Sequence, residues 1–154
     1  MDVHDKQTRS KNMRAIRSKN TKPELLLRRL LHKEGLRYRV CPKAIPGKPD
    51  IWLRKYNAAI FVHGCFWHMH GCAVFKLPQT RQEFWKSKLE SNFARDKVVQ
   101  SQLRRLGIRV LVVWECSLKG KNRLAKPMIN LLVKTWLVSG SSSGELTEQG
   151  LYAN

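Results

Sequence analysis

Acidic residues are scarce in this chain: eleven Asp and Glu stand against thirty Lys and Arg, for a formal net charge of +19. A surplus that large repels itself unless a polyanion is close, which points to nucleic acid as partner. A ribosomal or merely soluble basic protein has the same composition. Long apolar runs are also missing. The longest near the middle, Ala58 to Val62, is far too short to cross a bilayer, so no membrane role is expected. Met1 to Thr8 holds no apolar run, so no secretory leader is expected either, and the chain reads as cytoplasmic or nucleoid-associated. Cysteine is limited to four residues, which in a reducing compartment favours metal ligation over disulfides. At 154 residues the chain is long enough for one packed core.

Residues 1–22 form a basic arm, with only Met13 and Ile16 able to anchor a short helix. Thr21-Lys-Pro-Glu24 matches a capping box and opens a helix whose apolar stripe is Leu26, Leu27, Leu30 and Leu31, stopping at Gly35. Leu36 to Val40 and Ile51 to Leu53 read as strands. Ala58 to Val62 is apolar throughout, and Ile108 to Trp114 is apolar but for Arg109, as strands covered on both faces are. Thr80-Arg-Gln-Glu83 repeats the capping pattern ahead of a helix that stops at Gly107, and Leu124 to Trp136 reads as a last helix. Residues 23–138 then make one α/β domain, a mixed central sheet flanked by helices. Residues 139–154, Ser/Gly-rich and without a basic residue, read as a flexible, dispensable tail.

Three groups of residues carry chemistry. Cys65, His70 and Cys72 lie on one polar loop, with Cys116 just past a predicted strand; two thiolates, an imidazole and a third thiolate suit a closed tetrahedral zinc site. Four independently buried cysteines are the alternative, and packing is enough to explain Cys41. Asp50 leads into a strand beside Ala58 to His63, where a carboxylate can hold a hard cation such as magnesium against a phosphodiester; Pro-Gly-Lys-Pro-Asp50 is also simply a turn. Phe66 and Trp67 on the polar loop suit stacking on bases as well as they suit a core.

Taken jointly, Val3-His-Asp-Lys, Thr8-Arg-Ser-Lys-Asn-Met-Arg-Ala-Ile16, Pro46-Gly-Lys-Pro-Asp50, Phe61-Val-His-Gly-Cys-Phe-Trp-His68, Phe84-Trp85, Arg95-Asp96 and Val112-Val-Trp-Glu-Cys116 closely resemble the very short patch repair (Vsr) DNA mismatch endonucleases, in order over residues 1 to 136. The resemblance implies a restriction-endonuclease-like fold of PD-(D/E)XK type with a structural zinc site. It also implies magnesium-dependent nicking of one strand 5′ to the T of a T:G mismatch left by deamination of 5-methylcytosine. On that likeness Asp50 binds magnesium together with the Val62 backbone carbonyl, and His68 is the general base. Asp96 orients His68, and His63 assists at the scissile phosphate. Cys65, His70, Cys72 and Cys116 hold zinc, while Phe66, Trp67 and Trp85 form the intercalating wedge. Glu24 falls at an acidic position near the active site. Expected partners are double-stranded DNA carrying the mismatch and a mismatch-repair protein, with the enzyme a monomer in the bacterial cytoplasm.

The chain departs from the family pattern at Val62, where threonine is common. A main-chain carbonyl ligand tolerates that change, whereas a required hydroxyl does not. The competing reading is a zinc-stabilised module that binds distorted DNA without cutting it.

Overall fold

A computed structural model describes residues 19–72 and 75–153. Residues 1–18 of the expected basic arm lie outside the described residues.

Helix α1 (Lys22–Lys33) starts as its sequence demands: Thr21 caps it by accepting the Glu24 N–H, and Pro23 sits in the first turn where no intrahelical donor is needed. The reciprocal half of the capping box is displaced by one residue, because the Glu24 carboxylate accepts from the Asn20 N–H at 2.7 Å rather than from Thr21. Leu27, Leu30 and Leu31 are buried, and Leu26 packs against them.

A single five-stranded sheet follows in the order β1 (Ile51–Leu53), β2 (Ala58–His63), β3 (Arg109–Trp114), β4 (Ser143–Thr147), β5 (Gly150–Ala153). The outer pairs are antiparallel and the inner pairs β2–β3 and β3–β4 parallel. Between them run the long helix α2 (Gln82–Arg105), a single turn α3 (Glu115–Leu118) and α4 (Lys126–Ser139). The two-residue period of the strands divides the core. Ala58, Ile60, Val62, Leu111 and Val113 join the leucines of α1 with Ile129, Val133 and Trp136 of α4. Ala59, Phe61, Val110, Val112 and Trp114 point the other way and pack with Leu103 and Val99 of α2. Both faces are covered, which is why β2 up to Val62 and β3 from Val110 are apolar without alternation.

Three expectations need correction. Residues 36–40 form no strand; Arg39 alone bridges Trp52, exchanging hydrogen bonds of 2.9 and 2.8 Å. Helix α2 has Arg81, not Thr80, at its cap position, at φ 53° and with no cap bond from the Arg81 side chain. Most consequentially, the flexible tail expected over residues 139–154 is part of the sheet, because residues 143–153 supply β4 and β5. Without them the outer edge of β3 would leave a row of buried main-chain groups unpaired. Gly140, at φ 79°, ends α4, and the Arg109 guanidinium satisfies the last turn by donating to the carbonyls of Trp136 (2.7 Å), Leu137 (2.9 Å) and Ser141 (2.8 Å). The same guanidinium lies 4.4 Å over the Trp136 ring.

Candidate active site and metal centre

The C-terminal end of β2 opens into a cleft of about 270 Å³ lined by residues of α1, the loop before β1, β2, the loop after it and α2, among them Glu24, Asp50, Val62, His63, His68 and Asp96. Asp50 directly precedes β1, and its Oδ2 accepts the Val62 N–H at 2.7 Å. Burial pushes its carboxyl up to about 7; the nearby Glu24 adds to that rise, and the Val62 N–H and Arg28 counter it. Glu24 is itself only 3% exposed and pairs with Arg28 at 3.3 Å. The same Arg28 nitrogen reaches the Asp50 carbonyl at 3.3 Å, which ties α1 to β1. The side chain of Val62 packs into the α1-side core, so its main chain is what meets Asp50.

Across the cleft, His63 and His68 stack with ring centroids 3.8 Å apart and planes within 3°. His63 is buried, and burial first, then the adjacent His68, lowers its pKa to about 3, against an opposing pull from Asp96. It is therefore neutral at working pH. His68 Nδ1 meets Asp96 Oδ2 of α2 at 2.5 Å. With Asp96 as an ionised acceptor, Nδ1 carries the proton and Nε2 presents a lone pair. Both side chains keep about a quarter or less of their surface exposed, at 24% and 21%, so the pair is sheltered yet reachable.

Cys65, His70, Cys72 and Cys116 form a second cluster whose ligand atoms all lie within 4.8 Å of one another. His70 Nδ1 stands 3.5 Å from Cys65 Sγ and 3.6 Å from Cys116 Sγ. A tetrahedral zinc with ordinary Zn–S and Zn–N bonds has S···N edges of about 3.5–3.6 Å, so the donors already have the spacing and chemistry for that ion. Burial pushes the Cys65 thiol up, as neighbouring thiols do, which is the situation a divalent cation reverses. The cluster's two parts meet because Cys116 is the second residue of α3, which follows β3 directly, and its N–H donates to Cys65 Sγ at 3.3 Å.

The aromatics form a third group. Phe66, Trp67 and Trp85 contact one another edge-to-face, with centroids 5.1 to 5.9 Å apart, joining the loop to the first turn of α2. Asn92 holds the loop by donating to the Trp67 carbonyl at 3.1 Å.

Residues 1–74 match the family model described as DNA mismatch endonuclease Vsr. The chain is 45% identical over 151 residues to DNA mismatch endonuclease Vsr of Escherichia coli (strain K12), covering 98% of this chain and 97% of the relative. The chain belongs to the Vsr family. Two type II nicking enzymes are similar to it as well: V.XorIIP of Xanthomonas oryzae pv. oryzae, 45% identical over 78% of this chain and 88% of the relative, and V.NmeAIP of Neisseria meningitidis, 42% identical over 86% and 94%.

Within this Vsr-family chain, the sequence-predicted residues fall into three neighbouring groups, while Cys41 belongs to none of them. Sequence reasoning missed several residues that hold those groups in place. Arg28 sits four residues after Glu24 within the apolar stripe of α1, a spacing that signals an ion pair but does not reveal its bond to Asp50. Glu115 accepts the Cys65 N–H at 3.3 Å. Trp114, read only as a core strand residue, lies flat against His70 at 4.2 Å and edge-on to His63 at 5.3 Å. Nothing in its own neighbourhood of sequence distinguishes it from the valines before it.

Proposed function

We propose that this protein is a magnesium-dependent endonuclease that nicks one strand of duplex DNA 5′ to the thymine of a T:G mismatch arising from 5-methylcytosine deamination, on a restriction-endonuclease-like, PD-(D/E)XK-type fold. The observation that carries the reading is one cleft in which the Asp96-anchored imidazole of His68 opposes the half-buried Asp50 and the buried Glu24. Two close carboxyls, with that of Asp50 held up to about 7 by burial, favour a cation, and carboxylate, carbonyl and water oxygens suit magnesium. Asp50 and the Val62 carbonyl would hold it, with Glu24 beside them. When bound, that ion supplies charge neutralisation at the phosphate and assistance to the leaving oxygen.

His68 Nε2 takes the proton from the attacking water, and Asp96 stabilises the imidazolium and keeps the ring in its tautomer. His63, neutral and stacked on His68, presents a polar edge to the phosphate without a competing charge. Lys48 and Arg95, which line the same cleft, suit phosphate contacts. Phe66, Trp67 and Trp85 form the wedge that enters beside the mismatch, where a few kcal/mol of unstacking is offset by newly contacted surface. Cys65, His70, Cys72 and Cys116 hold a structural zinc that keeps the wedge and His68 on one rigid loop. The basic arm of residues 1–22 adds sequence-independent phosphate contacts.

No helix among the described residues is long and apolar enough to cross a membrane. A monomer in the bacterial cytoplasm, working with a mismatch-repair protein, is the setting that fits the family. The deciding test is a strand-nicking assay on T:G and matched duplexes with and without magnesium. Selective, magnesium-dependent nicking that Asp50→Ala abolishes is the expected result; wild type cutting no faster than Asp50→Ala overturns the reading.

A further inference from the structure

A buried positive charge stands behind the acidic wall of the cleft. Arg28 of α1 is 7% exposed, and a charge that deep is costly unless its donors are engaged. Its Nη2 donates to Glu24 Oε2 and to the Asp50 carbonyl, both at 3.3 Å. Its Nη1 donates to the side-chain Oδ1 of Asn20 at 2.8 Å, the shortest of the three bonds. Nε is buried with no hydrogen-bond partner among the described residues, so the guanidinium has no donor to spare. The main-chain N–H of Asn20 in turn donates to the same Glu24 oxygen at 2.7 Å. Asn20 therefore grips both members of the Glu24–Arg28 pair, one with its main chain and one with its side chain. It is exposed, so burial does not account for it, and it stands at φ 58°, a left-handed conformation that asparagine, aspartate and glycine take more readily than other residues.

Glu24 and Asp50 line one cleft. A guanidinium released at Nη1 has both carboxylates near it, and its fork matches the two oxygens of either. Pairing of that kind sets a fixed positive charge on oxygens that a divalent cation needs. We propose that Asn20 is a positioning residue for the cation side of the cleft: by holding Nη1 it keeps Arg28 on Glu24 Oε2 and the Asp50 main chain, and off the Asp50 carboxylate. The end of the basic arm is thereby fastened to the cleft wall. This rests on reading Asp50 as a magnesium ligand.

The test compares wild type with Asn20→Gly and Asn20→Asp. Glycine suits φ 58° and keeps the N–H to Glu24 but offers Nη1 no acceptor, whereas aspartate keeps an acceptor in the same place. Two quantities are read. One is the magnesium concentration for half-maximal nicking of a T:G duplex. The other is the affinity of the full chain for manganese(II) without DNA, from the electron paramagnetic resonance signal of the free ion. Asn20→Gly should need about tenfold or more magnesium, the effect of losing a hydrogen bond to a charged group, while its rate at saturating magnesium stays within about threefold of wild type. Manganese affinity should weaken to match, and Asn20→Asp should restore both quantities. A magnesium-dependent wild type matched by Asn20→Gly in both quantities overturns the role of Asn20 alone. Equal impairment of the glycine and aspartate variants overturns it too, because the acceptor is then not what matters. Wild type that nicks without magnesium and binds no manganese overturns the magnesium reading and this inference with it.

Discussion

Asp96, on helix α2, grips His68, on the candidate metal-cluster loop, through a 2.5 Å bond to Nδ1, so the ring that faces the cleft is oriented by an element 28 residues away in sequence. In the proposed mechanism that bond makes the imidazole a base with its free nitrogen toward the substrate. Substituting Asp96→Asn keeps the shape but lets the amide donate to Nδ1, which turns the lone pair away from the cleft. Single-turnover nicking of a T:G duplex should fall by about 10²–10⁴-fold with duplex affinity unchanged. A loss under threefold would show that His68 works without its carboxylate.

Asp50 leads to a pH dependence. Its folded pKa, about 7, stands above its ordinary value of 3.8 because the carboxyl is buried. The folded state therefore binds more protons than the unfolded state between those values. Its contribution is fully present below about pH 4 and is lost as pH rises through 7, with each unit of difference equivalent to about 1.4 kcal/mol before discounting for relaxation. In magnesium-free buffer, Asp50→Asn should gain stability relative to wild type as pH is raised from 4 to 8, while losing nicking. Parallel denaturation curves at both pH values for the two proteins would contradict this.

Val62 bears on whether the departure from threonine disables the enzyme. Its side chain packs with the α1-side core, and the cleft meets its main chain. Val62→Thr should leave nicking within about threefold of wild type and cost about 1–3 kcal/mol of stability by burying a hydroxyl. A large gain in rate would show that the hydroxyl takes part.

For the wedge, Trp67→Ala should weaken binding to a T:G duplex by about 1–3 kcal/mol and leave matched duplex binding nearly unchanged. Equal losses on both duplexes would mean that the ring only supports the loop through Phe66 and Trp85.

Gly144 tests the C-terminal strands as structure. A Cβ there would lie 2.6 Å from Trp136 Nε1 and 2.8 Å from Cδ1, inside contact distance, so the indole seats on β4 only because the residue is glycine. Gly144→Ala should cost about 1–3 kcal/mol in urea denaturation, as overpacking does. No measurable cost would mean that β4 is loosely held.

The sequence by itself determined the elements with strong local signals. The capped stripe of α1 and the unbroken apolar runs of β2 and β3 need only their own period and flanks to be read. The candidate metal cluster Cys65, His70, Cys72 and Cys116 was legible from residue types gathered on one loop and one strand end, and the candidate roles of Asp50, His63, His68 and Asp96 through joint resemblance to one family. Tertiary structure decided what depends on residues distant in the chain. The tail became β4 and β5 because the open edge of β3 needed hydrogen-bond partners, a demand that is nowhere written in Ser-Gly-rich composition. Residues 36–40 keep strand-like composition but, among the described residues, gain a single bridge, from Arg39 to Trp52 in the three-residue β1. The linkage of Arg28 to Asp50, and of Trp114 to both the imidazole stack and the metal cluster, arose the same way. Packing brings those side chains together across the sheet, and local periodicity carries no record of it.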